Sequence, residues 1–152
     1  MAVNPIPAGY PRVMPYLAVA GAADAIAFYT DVFGATERMR MPAPGNKIGH
    51  AELQIGDSVV MLADEFPEMN HVGPKRLGGS PVTLAIYVEN VDHAVARALE
   101  KGARVLQPVE NKFYGDRAGQ IEDPWGHRWS VMTHIEDVTP EQMAERMKQM
   151  PG

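Results

Sequence analysis

His50 and Glu52 stand two residues apart in Gly49-His50-Ala51-Glu52-Leu53, a segment with the alternating pattern of a strand. Residues i and i+2 of a strand share a face, and a carboxylate beside an imidazole raises its basicity, so the pair suits general acid or base chemistry. It equally suits a wet rim, or hydrogen bonds to neighbouring strands that satisfy partly buried polarity. Asp116-Arg117, after Phe113-Tyr114, could present a guanidinium to an anionic substituent, with Asp116 fixing its orientation; the alternative is a structural ion pair in a loop. Met14, Met61 and Met132, with Tyr16 and Tyr87, suit the holding of an apolar or aromatic small molecule, or else fill a core. His134 and Glu136, near a strand end, lack further spaced ligands and read as solvated surface rather than a metal site. His127 follows a turn glycine and reads as structural, and His71 and His93 have no partners in the sequence.

Elements must exist to position these groups, and 152 residues at 45% hydrophobic composition suffice for one domain with a sizeable core. Fourteen Lys and Arg against 19 Asp and Glu give a net charge of −5 with no basic run, so nucleic acid is not expected as a partner. No apolar run is long enough for a bilayer, and Met1-Ala2-Val3-Asn4-Pro5 lacks the pattern of a signal peptide. Without cysteine there is no thiolate or disulfide chemistry; a soluble, cytoplasmic protein is the expectation.

Pro5, Pro7, Gly9 and Pro11 make residues 1–12 an extended arm. Val13 to Val19 reads as a strand, and Ala22, Ile26, Tyr29 and Phe33 as the apolar stripe of a helix stopped by Gly34. Strands follow at Thr36 to Met41, Gly49 to Ile55 and Ser58 to Ala63, so residues 13–64 form a βαβββ unit. Pro67, Pro74 and Gly78-Gly79-Ser80 mark 65–80 as a linker. Residues 81–136 repeat the order: strand Val82 to Val88, a helix on Val91, Ala94, Val95, Ala98 and Leu99 stopped by Gly102, then strands at Arg104 to Val109, Arg117 to Glu122 and His127 to His134. The matching helix exits at Gly34 and Gly102 point to an internal duplication. In the tail, 137–152, Thr139-Pro140-Glu141-Gln142 carries an N-cap, an N1 proline and a capping-box Gln ahead of a short helix.

Several segments carry a resemblance: Ile26-Ala27-Phe28-Tyr29 with Val32-Phe33-Gly34, Gly49-His50-Ala51-Glu52-Leu53, Tyr114-Gly115-Asp116-Arg117, and Asp123-Pro124-Trp125-Gly126-His127 running through Arg128-Trp129-Ser130 to Thr133-His134-Ile135-Glu136-Asp137. From Arg12 to Glu136 the chain resembles the vicinal oxygen chelate superfamily (glyoxalase, bleomycin resistance and extradiol dioxygenase proteins), and these segments look like its PhnB-like branch. The resemblance implies an α+β fold in which two βαβββ repeats form a curved mixed sheet, with helices on the convex face and the ligand in the concave cup. Strand alternation supports that arrangement independently. It puts Leu17, Val19, Ala51, Leu53, Ile55, Val60, Leu62, Leu84, Ile86 and Val88 under the helices, and Trp129 in the core beneath the second helix. Met14, Tyr16, His50, Glu52, Gln54, Met61, Thr83, Tyr87, Ser130, Met132 and His134 then face the cup.

The family's metal-binding members place His, Gln or Glu at one position on each of four strands, and matching the strands puts these at Met14, Met61, Thr83 and Ser130. Thioethers and un-ionised hydroxyls do not suit a hard divalent cation, so no metal and no cofactor is expected there. The first expectation is therefore a cup binding a small, largely apolar or aromatic molecule through Met14, Tyr16, Met61, Thr83, Tyr87, Tyr114, Arg117, Ser130 and Met132. The second is a metal-independent isomerase or lyase with His50 and Glu52 catalytic. The third is a metal-dependent lyase or dioxygenase-type enzyme with ligands relocated to His50, Glu52 and His134. Resemblance also implies a homodimer, with or without exchanged units; the sequence adds only that open-edged curved sheets are hazards unless paired, covered or charged.

Overall fold

Pro15 has no N–H to give a ladder, and the first strand starts just after it, β1 spanning Tyr16–Val19 rather than beginning at Val13. The computed structural model describes residues 2–151; Met1 of the expected arm and Gly152 of the expected tail lie outside the described residues. The chain forms two compact units that divide between Gly79 and Ser80.

In the first unit, β1 leads into α1 (Ala22–Phe33), then β2 (Thr36–Ala43), β3 (Lys47–Ile55) and β4 (Ser58–Asp64). The sheet order is β1-β4-β3-β2, with β1 parallel to β4 and the other pairs antiparallel. Helix α1 lies against β3, β2 and β4. Leu17, Val19, Ala51, Leu53, Val60 and Leu62 are buried, as the alternation predicts for that side, while Tyr29 of α1 is fully buried and stacks on Phe33. Ile55 is only half-buried at the hairpin end.

Residues 65–79 are ordered rather than a bare linker. A 3-10 turn at Pro67–Met69 lies inside a Phe66–His71 bridge, and α2 (Pro74–Leu77) follows with proline at its start and Gly78 at its end. Glu65 fixes the segment, taking the Gly73 N–H on its carboxylate at 2.6 Å while its carbonyl accepts from Lys47 Nζ at 3.2 Å. The ammonium of Lys47 also sits over the Phe66 ring.

The second unit repeats the plan with β5 (Thr83–Tyr87), α3 (Val91–Glu100), β6 (Arg104–Asn111), β7 (Asp116–Glu122) and β8 (Arg128–His134), in the order β5-β8-β7-β6. Here α3 lies across β6, β7 and β8. Ile121, Trp129 and Val131 are buried on the helix side, so Asp116, Ala118 and Gln120 belong to the opposite face of β7. Leu84, Ile86 and Val88 are only half-buried.

The duplication extends to how each helix begins. Asp64 accepts from the Gly21 and Ala22 amides at the start of α1, and Thr133 Oγ1 accepts from the Val91 amide at the start of α3 while donating to the Val88 carbonyl. The final helix, α4 (Pro140–Lys148), carries the expected capping box between Thr139 and Gln142. Arg146 ties it back through Glu136 and the Phe113 carbonyl. Gly115, at φ +100°, lies so close to the Glu136 carbonyl that a Cβ there would collide with it, which fits glycine at this turn. Among the described residues no helix is long and apolar enough to cross a membrane.

Candidate functional site

Register places Tyr16 of β1 and Glu52 of β3 on either side of Met61 of β4, all on the face turned away from α1. His50, two residues before Glu52, shares that face. The polar groups form one row: Tyr10 Oη donates to Glu52 Oε1 at 2.7 Å, Glu52 Oε2 meets His50 Nε2 at 2.8 Å, and His50 Nδ1 meets Tyr16 Oη at 2.7 Å. Glu52 is only 4% exposed, so its carboxylate needs these partners. Hydrogen bonds from His50 first, then Tyr10, hold its pKa below the usual carboxylate range. Burial first, then the Glu52 charge, raises the Tyr16 phenol above its ordinary value.

The arm ahead of β1 completes the row. Arg38 of β2 donates to the Gly9 carbonyl at 3.0 Å and lies 4.5 Å over the Tyr10 ring, which aims the phenol at Glu52. On the other side His71, from the segment after β4, meets Tyr16 edge-on with ring centroids 5.4 Å apart. Its Nε2 is buried and has no hydrogen-bond partner among the described residues. Tyr10, Arg38 and His71 belong to the site although their sequence positions gave no reason to select them. Met14 is half-buried just before β1.

The second unit carries its own row on the face away from α3. Tyr87 Oη donates to Asp116 Oδ2 at 2.7 Å, Asp116 Oδ1 meets His134 Nδ1 at 2.9 Å, and His134 Nε2 meets Asp137 at 2.8 Å. A buried carboxylate between a phenol and an imidazole thus occurs in both units, on the third strand of each. Tyr87 pairs in register with Met132, and Ser130 lies two residues before Met132 on the same face, while Thr83 is exposed at the start of β5. Tyr114 sits in the turn before β7 with its ring edge-on to Phe113.

One sequence expectation changes here. Asp116 does not orient Arg117: neighbouring strand residues point to opposite faces, and the guanidinium instead takes both oxygens of Asp92 on α3, at 2.8 and 2.9 Å, plus Asn111. Arg117 therefore lies on the helix side, away from Tyr87 and Ser130. His134 and Glu136 lie at the exposed surface as expected, yet both nitrogens of His134 are engaged and Glu136 is taken by Arg146.

Asp137 first, then Asp116, raises the pKa of His134. Its charged form thus contributes stability in full below the ordinary histidine value, about 6.5, and loses it as pH climbs through the raised folded-state value. In an NMR titration His134 is expected to have a higher midpoint than histidine in the unfolded chain, and Asp137→Asn should bring it down. A midpoint unmoved by that substitution would contradict the clamp.

At the positions that the resemblance implies for a metal, neither unit supplies a donor suited to a hard cation. Met61 and Met14 offer thioethers, and Thr83 and Ser130 neutral hydroxyls. Among the described residues no three His, Cys, Asp or Glu side chains converge as a metal ion would require. His134, a candidate relocated ligand, spends both nitrogens on aspartates.

Residues 10–131 match the model of the Glyoxalase/Bleomycin resistance protein/Dioxygenase superfamily. An uncharacterized protein of Mycobacterium bovis is 40% identical over 150 residues, covering 97% of this chain and 96% of its own. A PhnB protein from Bacillus cereus shares the fold at 17% identity with a TM-score of 0.64, covering 81% of this chain and 99% of its own. The fosfomycin resistance protein FosX of Listeria monocytogenes, solved with Mn(II) and sulfate, shares it at 15% identity and a TM-score of 0.62, covering 90% and 97%.

Proposed function

The chain belongs to the glyoxalase/bleomycin resistance protein/dioxygenase superfamily, and from that premise we propose that it binds a small, largely apolar or aromatic molecule in the concave, helix-free face. The observation that carries this reading is the row Tyr10–Glu52–His50–Tyr16 beside Met61, which combines a polarizable apolar floor with a few convergent polar groups. Binding of this kind needs neither a metal nor a nucleophile. In the second unit Tyr87, Met132, Ser130 and Thr83 offer similar chemistry for contacting such a molecule, as does Tyr114.

A thermal-shift screen of aromatic compounds tests the reading. A ligand at a hundred times its Kd should stabilise the protein by about 2.7 kcal/mol, and Met61→Lys should abolish that gain while leaving the circular dichroism of the free protein unchanged. Equal stabilisation of the parent and Met61→Lys, or no stabilisation by any aromatic, would count against it.

The His50–Glu52 pair, which reaches the surface through Tyr16, favours a second reading, a metal-independent isomerase or lyase that moves a proton beside a carbonyl. His50→Ala and Glu52→Ala that keep ligand affinity but lose turnover would support it, and unchanged turnover would remove it. The proposal includes a cytoplasmic homodimer. Support for a second copy comes from β2, an edge strand of its sheet, whose exposed Met39 and Met41 pair in register with Glu52 and His50 and so lie on the same face as them. A sedimentation measurement of the mass decides this point.

A further inference from the structure

A group that exchanges a proton with a ligand needs a lone pair or a proton free to face it. His50 has neither, since Nε2 is bonded to Glu52 and Nδ1 to Tyr16. Glu52 keeps spare lone pairs, but its two oxygens hold Tyr10 and His50 in a side chain only 4% exposed, so a ligand hardly reaches them. The open end of the row is Tyr16, which is 47% exposed and whose bond to His50 lies at the surface. A phenol oxygen donates one hydrogen bond and can accept others, so Tyr16 can serve His50 and a ligand together.

The network also assigns the proton positions. Glu52 is a carboxylate, held so by His50 and Tyr10, and therefore takes the N–H of His50 Nε2. In the neutral imidazole that leaves Nδ1 as the acceptor, to which the Tyr16 hydroxyl donates. Resting on the binding reading above, we propose that the ligand carries an ionisable hydroxyl, a phenol or an enol, and that Tyr16 takes its proton while handing its own to His50 Nδ1. The ligand O–H bond breaks and a Tyr16 O–H bond forms; the former Tyr16 O–H bond breaks and an N–H bond forms on His50. The ligand becomes an oxyanion, His50 an imidazolium against the Glu52 carboxylate, and no proton enters or leaves the complex. Burial and the Glu52 charge disfavour a phenolate at Tyr16 itself, so the negative charge settles on the ligand. The unpartnered Nε2 of His71, whose ring meets the same Tyr16 ring, is an unfilled hydrogen-bonding position beside it.

Para-nitrophenol, which turns yellow on ionising, and para-nitroanisole, which has no proton to give, are the probes. At a pH where free para-nitrophenol is protonated, the full chain should bind it as the yellow phenolate. The parent should prefer it over para-nitroanisole by roughly tenfold or more, the worth of one charge-assisted hydrogen bond. His50→Gln and Tyr16→Phe should each abolish the colour and reduce the preference to about onefold, the ratio set by apolar contact alone. Colour that survives in both variants overturns the proposal. If para-nitroanisole binds and para-nitrophenol is bound un-ionised, the proton transfer is wrong while the binding reading stands; if neither probe binds, both fall.

Discussion

Asp123→Ala is expected to destabilise the protein by about 3 to 5 kcal/mol, a loss large enough to unfold a marginal domain. The carboxylate is 2% exposed and accepts hydrogen bonds from the amides of Trp125 and His127 at 3.0 Å each and from the indole Nε1 of Trp129 at 2.9 Å. It shapes the turn between β7 and β8 and anchors the tryptophan beneath α3. Truncation would remove the acceptor for these donors, among them the indole N–H of a 3% exposed side chain. Asp123→Asn keeps one acceptor oxygen but turns an N–H group toward existing donors, so an intermediate loss is expected. Urea unfolding followed by tryptophan fluorescence measures both. A change below about 1 kcal/mol for the alanine variant would mean that water replaces the carboxylate at little cost.

Asp64→Ala should have an effect of similar size, about 2 to 4 kcal/mol, concentrated in the first unit. One oxygen takes the Gly21 and Ala22 amides at 2.9 and 3.0 Å, and the other takes the Ile48 amide at 2.7 Å. The side chain therefore supplies negative charge at the positive end of α1 and ties that helix start to β3. Hydrogen exchange should accelerate at Gly21, Ala22 and Ile48 far more than in α3, where Thr133 does the corresponding work. Uniform acceleration through both units would show that they open together.

The sequence made the element order legible because period-two and helical patterns survive in short segments. Val19, Leu53 and Leu62 were assignable to the helix side on alternation alone, and they are buried there. His50 and Glu52 were legible as a pair for the same reason. Tyr10 was not: between Gly9 and Pro11 there is no period to say which way a side chain points, and its partner lies 42 residues away. Arg117 was not legible, because residues adjacent in a strand point to opposite faces and its partner Asp92 lies 25 residues away. The short helix α2 had its signals in plain view, Pro74 at its start and Gly78 after its end, but four residues are too few to show a periodic stripe.

The hold that Gly9 and Tyr10 have on β2 and β3 reaches beyond the arm itself. One of the two hydrogen bonds that keep Glu52 acidic comes from outside the βαβββ framework, from a stretch that a trimming protease could remove without touching any strand. Shortened protein would keep its architecture yet carry a weaker carboxylic acid behind His50, so preparations differing only in their leading residues should differ in how readily they accept a proton.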